Sequence, residues 1–380
     1  MARRQDTWDK SARVGACLGI ANMCRTLDLG AVREALKQSD KGARRHRDLP
    51  AEAVVCFVIA MALYMRVNLR EVLFCLMEGL RMVRGLDVRV TGKSGISQAR
   101  SRIGAEPLRR LYERHVHPIA TLQTQGAWYC GRRLVSLDGS TLDIPDEADN
   151  RKRFRGPSTV NGASPFPQVR FVCLAEIGTR VLFAARMAGY HMGEATLAHD
   201  VISRLQPDML CLADRGFFNR TLWKEARETG ADLLWRVRAD IRLPVEKVLP
   251  DGSYLNSIST YRSKRARETP IPVRVVEYQV DGVEGGQDTL YRLSTSMLEP
   301  DQAPAGELAR LYHQRWEIET AFDELKTHLR GARMRLRSKT PELVEQEFYG
   351  LMLAHFTVRG LMHEASLKAD IDPDDLSFTH

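Results

Sequence analysis

Apolar residues recur at helical spacing through the first third of the chain. Val54, Val58, Met61, Ala62 and Met65 repeat every three to four residues, and Leu69, Val72, Leu73, Leu76 and Leu80 continue the pattern. Asn68 between the two runs predicts a turn or a cap rather than one long helix. The run from Ala53 to Met65 is shorter than the roughly 20 residues that cross a bilayer, and reads as a core helix. A basic stretch, Lys93 to Gly104, predicts a helix starting near Ser97 with Arg100 and Arg102 turned outward. Such a face suits either half of a DNA-binding helix pair or plain solvation.

From Arg132 the texture changes. Leu134 to Ile144, Val169 to Ile177 and Val181 to Ala188 read as strands, the last two joined by a hairpin at Gly178-Thr179. A helix from Glu194 to Leu205, a strand from Met209 to Ala213, a helix from Thr221 to Thr229 and a strand from Asp232 to Val237 follow. That order predicts an α/β fold with a mixed sheet. Between Arg238 and Glu299, proline and glycine punctuate β-like runs such as Val273 to Val280 and Thr289 to Ser294, a β-rich insertion. A long amphipathic helix is predicted from Gly306 to about Leu329, and another from Glu342 to Glu364. The sequence contains no internal repeat and no low-complexity tract.

Composition narrows the class. The 380 residues suit two or three domains, and 44% apolar residues suffice for a sizeable core. A net charge of +8 and a pI near 9.2 suit a polyanionic partner. Seven scattered cysteines, with no Cys-x-x-Cys pair, argue against a disulfide framework and for reduced, mostly buried thiols. Arg3, Arg4, Asp6, Asp9 and Lys10 do not form a signal-peptide pattern. The expectation is a soluble, cytoplasmic protein with no membrane association.

The chemistry rests on three carboxylates. Asp138 follows the apolar run Leu134 to Leu137 and precedes Gly139, which places a carboxylate on a central strand, where it needs a partner or a cation. Asp214, in Asp214-Arg215-Gly216-Phe217, closes the short strand ending at Ala213, where open α/β sheets place their sites. Taken singly, each aspartate also reads as a turn or cap residue. Further on, Tyr312, Arg315, Glu319 and Lys326 are spaced by three, four and seven residues and share one helix face. Ile318, Phe322, Leu325 and Leu329 form a neighbouring apolar stripe. The competing reading is a solvated face with an Arg315–Glu319 ion pair, worth only about 0.3–0.5 kcal/mol.

The Tyr-x2-Arg-x3-Glu-x6-Lys spacing resembles the signature of insertion-sequence transposases of the IS-four type, within the DDE class. Leu-Asp-Gly-Ser-Thr at Asp138 and Ala-Asp-Arg-Gly-Phe at Asp214 resemble the motifs of the family's two aspartates, and Glu319 its glutamate. The resemblance implies a ribonuclease H-like mixed sheet flanked by helices, with a β-rich insertion and a helical N-terminal domain. It divides the chain into residues 1–125, a helical DNA-end-binding region; 126–238, the first part of the catalytic domain; 239–299, the insertion; and 300–380, the second part. Family members continue past His380, so the ending reads as a truncation.

The resemblance further implies cleavage and strand transfer at element ends, with Asp138, Asp214 and Glu319 holding two Mg²⁺ ions, Mn²⁺ being a substitute. Partners would be double-stranded element ends and target DNA, met by a homodimer. Tyr312, Arg315 and Lys326 would grip phosphates, with Arg215 beside the second aspartate. Trp316 and Tyr291 match aromatic positions that hold a flipped base in some relatives, although Tyr291 stands where those have tryptophan and Trp316 also reads as core. Arg330, Arg333, Arg335, Arg337 and Lys339 would extend the phosphate track, and Arg151 to Arg155 and Arg262 to Arg267 are similar runs. The pairs His115 and His117, and His191 and His199, read as surface or hydrogen-bonded histidines rather than ligands. Two rivals stay open: a metal-dependent nuclease or phosphatase of the same fold, and a DNA-binding remnant without catalysis.

Overall fold

The computed structural model describes residues 10–26, 28–41, 49–84, 93–159, 162–259, 270–279, 290–329 and 335–378. The chain opens with helices α1 (Lys10–Thr26), α2 (Leu29–Gln38), α3 (Ala51–Leu63), α4 (Leu69–Arg84), α5 (Lys93–Ile103) and α6 (Glu106–His115). α3 is the core helix foreseen: every side chain from Ala53 to Ala62 is buried. Asn68 caps α4, its side chain accepting from the Glu71 N–H at 3.0 Å.

The expectation for Arg100 fails. Ile96, Ala99, Arg100 and Ile103 occupy one stripe of α5, and all four are buried. The Arg100 guanidinium donates to Gln346 and Ser338, both at 2.8 Å, while Gln346 donates back to the carbonyls of Arg100 and Gly104. Arg102 is half-buried and donates to the Leu49 carbonyl at 2.9 Å. Arg100 and Arg102 therefore bind the protein to itself, while Ser97, Gln98 and Ser101 face solvent.

The sheet follows the predicted order closely. Strands β1 (Arg132–Asp143), β2 (Gln168–Glu176) and β3 (Leu182–Gly189) are antiparallel neighbours. After the short α7 (Ala148–Phe154) and, beyond β3, α8 (Glu194–Ile202), strand β4 (Met209–Ala213) pairs parallel to β1. Helix α9 (Arg220–Glu228) then leads to β5 (Asp232–Arg236), parallel to β4. The β-rich residues supply β6 (Tyr254–Ile258), β7 (Ile271–Gln279) and β8 (Leu290–Thr295). β8 pairs antiparallel with β5, so these strands extend the main sheet instead of standing apart. The path is β3-β2-β1-β4-β5-β8-β7-β6, one ten-stranded sheet among the described residues once the short Trp128–Tyr129 and Lys247–Val248 strands are included.

The helix expected from Gly306 to Leu329 is broken. α10 (Ala305–His313) and α11 (Trp316–Asp323) meet at a tight junction where N–H groups reach back three residues, Arg315 to Tyr312 and Ile318 to Arg315. α11 runs into a π turn, Glu324–Leu329. The apolar stripe survives the break, with Ile318, Phe322, Leu325 and Leu329 all buried.

Helix α12 (Pro341–Ala369) spans 29 residues and joins the two halves of the molecule. It packs against α3 and α6 on one side and against β3 and the π turn on another. Cys17, Cys56, Cys75, Cys173 and Cys211 are buried, and Cys130 is exposed. No described helix is long and apolar enough to cross a membrane.

The α3–α12 contact needs a residue without a side chain at position 350. A Cβ on Gly350 would lie 2.6 Å from Val58 Cγ1 and 3.1 Å from the Val58 carbonyl oxygen. Gly350→Ala should therefore destabilise the protein by about 1–3 kcal/mol despite its better helix propensity. Chemical denaturation reads this directly, and an unchanged or raised midpoint would contradict the packing described.

Candidate active site where a parallel strand pairing ends

In the pairing of β1 with β4, Leu137 stands opposite Ala213. Asp138 and Asp214 are the next residues along each strand, so they lie side by side where the parallel pairing ends: β4 stops at Ala213, while β1 runs on to Asp143 beside β2, and neighbouring strands run about 4.8 Å apart. In the next pairing Ala213 stands opposite Trp235, which places Arg236 beside Asp214. Arg236 Nη1 is 4.0 Å from Asp214 Oδ1. Glu319 approaches from α11, which packs on β1.

Arg315 ties the first and third acids together. Its Nη1 donates to Asp138 Oδ2 at 3.0 Å and its Nη2 to Glu319 Oε1 at 2.9 Å. The guanidinium is 8% exposed, against 41% for the Glu319 side chain. Burial by itself lowers its affinity for a proton, but Tyr312, Asp138, Asp214 and Glu319 together more than reverse this. Burial pushes Asp138 up to about 6; the Gly139 N–H and Arg315 oppose the shift, and Glu319 and Glu194 reinforce it. The Gly139 N–H lies 2.7 Å from Asp138 Oδ1.

Tyr312, expected at the DNA phosphates, is instead 4% exposed. Its hydroxyl points under the site, 3.4 Å from Asp214 Oδ1 and 3.5 Å from the Ala213 carbonyl. The break after α10 accounts for this: Tyr312 and Glu319 belong to separate helices, and the first of them buries its tyrosine against the sheet. Trp316 is exposed at 58%, which removes the core alternative, and it flanks Arg315 at 5.8 Å. Tyr291 stacks on Tyr278 at 5.3 Å, with the Arg236 guanidinium 4.0 Å over its ring. Arg215 is exposed beside Asp214. Lys326 lies on the π turn, 5.9 Å from the Phe322 ring.

That turn is held from below. Glu324, at its start, is buried and accepts from Arg359 Nε at 2.8 Å and from Arg180 at 3.2 Å. Glu317 accepts from the Gly178 N–H at 2.7 Å, tying the β2–β3 hairpin to α11, and burial pushes it up to about 7.

The outlying basic residues divide. Arg337 turns inward to the carbonyls of Val67 and Tyr64, at 2.8 and 2.6 Å, because the segment before α12 crosses the N-terminal helices. Arg335 stacks on Phe166 at 3.6 Å, and Lys339 pairs with Glu147 at 2.8 Å. Arg151 pairs with Asp146 at 2.5 Å, while Lys152, Arg153 and Arg155 are exposed. Arg330, Arg333 and Arg262 to Arg267 lie outside the described residues. His199 meets Glu225 at 2.5 Å, and His117 donates to the His115 carbonyl.

Sequence reasoning missed Arg236 and Glu194. Both had a signal: Arg236 ends a strand beside that of Asp214, and Glu194 begins a helix behind Asp138-Gly139. A Cβ on Gly139 would lie 2.8 Å from Glu194 Cδ, so the glycine admits that carboxylate.

Comparison with known proteins gives the family. Residues 129–357 match the family model of the transposase DDE domain, more than half of the chain. The chain belongs to the DDE transposases. Residues 19–113 of this transposase match the N-terminal family of insertion element 4 transposases. It is 29% identical over 362 residues to the transposase InsG for insertion sequence element IS4 of Escherichia coli K12, covering 93% of this chain and 79% of that protein. It is 26% identical over 174 residues to the putative transposase InsZ of the same organism, covering 42% of this chain and 56% of the other. Among solved structures it matches a piggyBac transposase synaptic complex with hairpin DNA at a TM-score of 0.48 and 13% identity, over 99% of this chain and 78% of that one.

DDE transposases cleave and join DNA with the help of divalent metal ions. The donors here are carboxylates, the hard oxygen ligands that Mg²⁺-like ions prefer. A cation already fits among them, since the Arg315 fork sits within 3.0 Å of two of the three acids. With the side chains so placed, no three described His, Cys, Asp or Glu residues are gathered closely enough to hold a metal ion.

The Tyr312 geometry separates two roles. If its hydroxyl orients Asp214, Tyr312→Phe should lower DNA cleavage roughly tenfold, the loss of about 1.4 kcal/mol, and leave DNA affinity within about threefold. A large loss of affinity at an unchanged cleavage rate would instead restore the phosphate contact expected from sequence.

Proposed function

We propose that Asp138, Asp214 and Glu319 form the catalytic centre of an insertion-sequence transposase that cuts element ends and transfers the freed strand to target DNA. The observation that carries this reading is the strand register. Two acids stand one residue beyond the Leu137–Ala213 pair, where the parallel pairing of β1 with β4 ends, and Arg315 draws Glu319 to the first of them.

The three carboxylates would hold two Mg²⁺ ions, with Mn²⁺ as a working substitute. Bound there, they would supply the charge that activates an attacking oxygen and stabilises a leaving one in an in-line displacement at phosphorus. The protein's own part is placement. Tyr312 orients Asp214 from beneath, Glu317 and Glu324 fix α11 and its π turn, and Gly139 donates to Asp138. Lys326, Arg215 and Trp316 border the centre and suit contact with phosphates and an unstacked base. Tyr291, under Arg236, suits a neighbouring nucleotide.

On this reading the divisions at 125, 238 and 299 separate end binding, the two catalytic parts and the insertion. The enzyme works as a homodimer on paired ends, in the cytoplasm. Residues 239–299, whose strands widen the sheet beside Asp214, suit contact with the DNA flanking the cut.

The test is cleavage of DNA carrying the element's own ends with Mg²⁺. Asp138→Asn, Asp214→Asn and Glu319→Gln should each lower the rate about a thousandfold or more, near 4 kcal/mol of transition-state stabilisation, while end binding persists. Cleavage surviving in any of the three removes that residue from the centre. Specific binding without cutting by the parent would favour the remnant reading.

A further inference from the structure

We infer that Arg315 holds the place of the metal ions in the DNA-free protein, and that metal loading and DNA capture are coupled because one guanidinium serves both states. The inference rests on the assignment of Asp138, Asp214 and Glu319 as metal ligands.

The geometry carries it. Arg315 bridges carboxylates from β1 and from α11, elements distant in sequence, with both bonds near ideal length for charged partners. An exposed ion pair between neighbours on a helix would need no such bridge. The guanidinium is buried, yet its Nε has no hydrogen-bond partner among the described residues. Its hydrogen bonding is thus incomplete in this position, and a phosphate could satisfy it better.

Charge makes the place-holder necessary. Asp138, Asp214 and Glu319 converge within a partly buried site, and a third acid beside two others is strongly disfavoured without a cation. Arg236 lies 4.0 Å from Asp214. Arg315 supplies the charge for the other two, and while it does so no three described His, Cys, Asp or Glu residues are gathered closely enough to hold an ion. Entry of a metal must therefore displace it.

The displaced side chain has a destination. Arg315 caps the start of α11 on the junction after α10, next to the exposed Trp316. From this rim a guanidinium can turn outward to a DNA phosphate, which it can chelate with two donors. DNA that captures Arg315 frees the acids for metal, and metal that occupies the acids frees Arg315 for DNA. Linkage makes the effect reciprocal.

Mn²⁺ binding to the full DNA-free chain, followed by electron paramagnetic resonance, tests this without catalysis. Arg315→Gln should bind Mn²⁺ about tenfold or more tightly than the parent, a change of roughly 1.4 kcal/mol. Arg236→Gln removes the same charge nearby without freeing the bridged acids and should have a much smaller effect. Arg315→Lys, which keeps the charge on a side chain without the planar fork, should fall between and serves if the glutamine variant does not fold. A duplex carrying the element ends should tighten Mn²⁺ binding by the parent and leave that of Arg315→Gln nearly unchanged.

Equal Mn²⁺ affinity in parent and Arg315→Gln overturns the inference, as does an equal gain from Arg236→Gln. If Asp138→Asn and Glu319→Gln bind Mn²⁺ as the parent does, the ligand assignment itself falls. If those variants lose Mn²⁺ but Arg315→Gln gains none, only the place-holder role falls.

Discussion

The parallel pairing of β1 and β4 is the constraint on which the rest depends. Strands buried on both faces tolerate little slippage, because a shift by one residue turns every side chain to the opposite face. Leu137 and Ala213 are fully buried partners, and their burial fixes where the next residue on each strand must be. The two aspartates are held in place by the apolar residues that precede them. The same register passes to β5, so a cation, Arg236, arrives beside the acids by the same means.

Around this fixed pair the acids need counter-charge. A carboxylate displaced from water either takes up a proton or finds a cation, and the high proton affinity of Asp138 shows the first tendency at work. Arg315 and Arg236 meet the second requirement without closing the site, since Glu319 and Asp214 keep appreciable exposure. The sheet, the two aspartates and Arg236 form the floor of the site. α11 and its π turn form its side, anchored through Glu324 and Glu317 to α12 and the β2–β3 hairpin.

Most of this was legible in the sequence where a local rule and a tertiary demand agree. Met209–Ala213 is a short apolar run between turn signals, and the strand has those limits. The apolar stripe Ile318, Phe322, Leu325 and Leu329 was equally clear, because burial on the sheet preserves the helical period. The break between α10 and α11 was not legible: a three-residue turn leaves apolar spacing nearly intact, and no proline or glycine marks it. Arg100 and Arg337 misled for a different reason. Arginine in a basic segment suggests solvent or DNA, and only the packing of α5 and α12 shows that carbonyls and a buried glutamine claim these donors. The Tyr312, Arg315 and Glu319 motif could be located without showing that its tyrosine faces inward.

The length of α12 has a consequence for how such a chain can evolve. At about 43 Å it runs from the N-terminal helices to the underside of the catalytic sheet. Its Gly350 lies against Val58 of α3, and its Gln346 is locked to α5. An exchange of the N-terminal region for another would strip apolar surface from a helix that the catalytic half also needs. Swapping the N-terminal helices by simple recombination of gene segments is therefore obstructed. Change in these helices would have to come by substitution on exposed faces, with the seam along α12 kept unchanged.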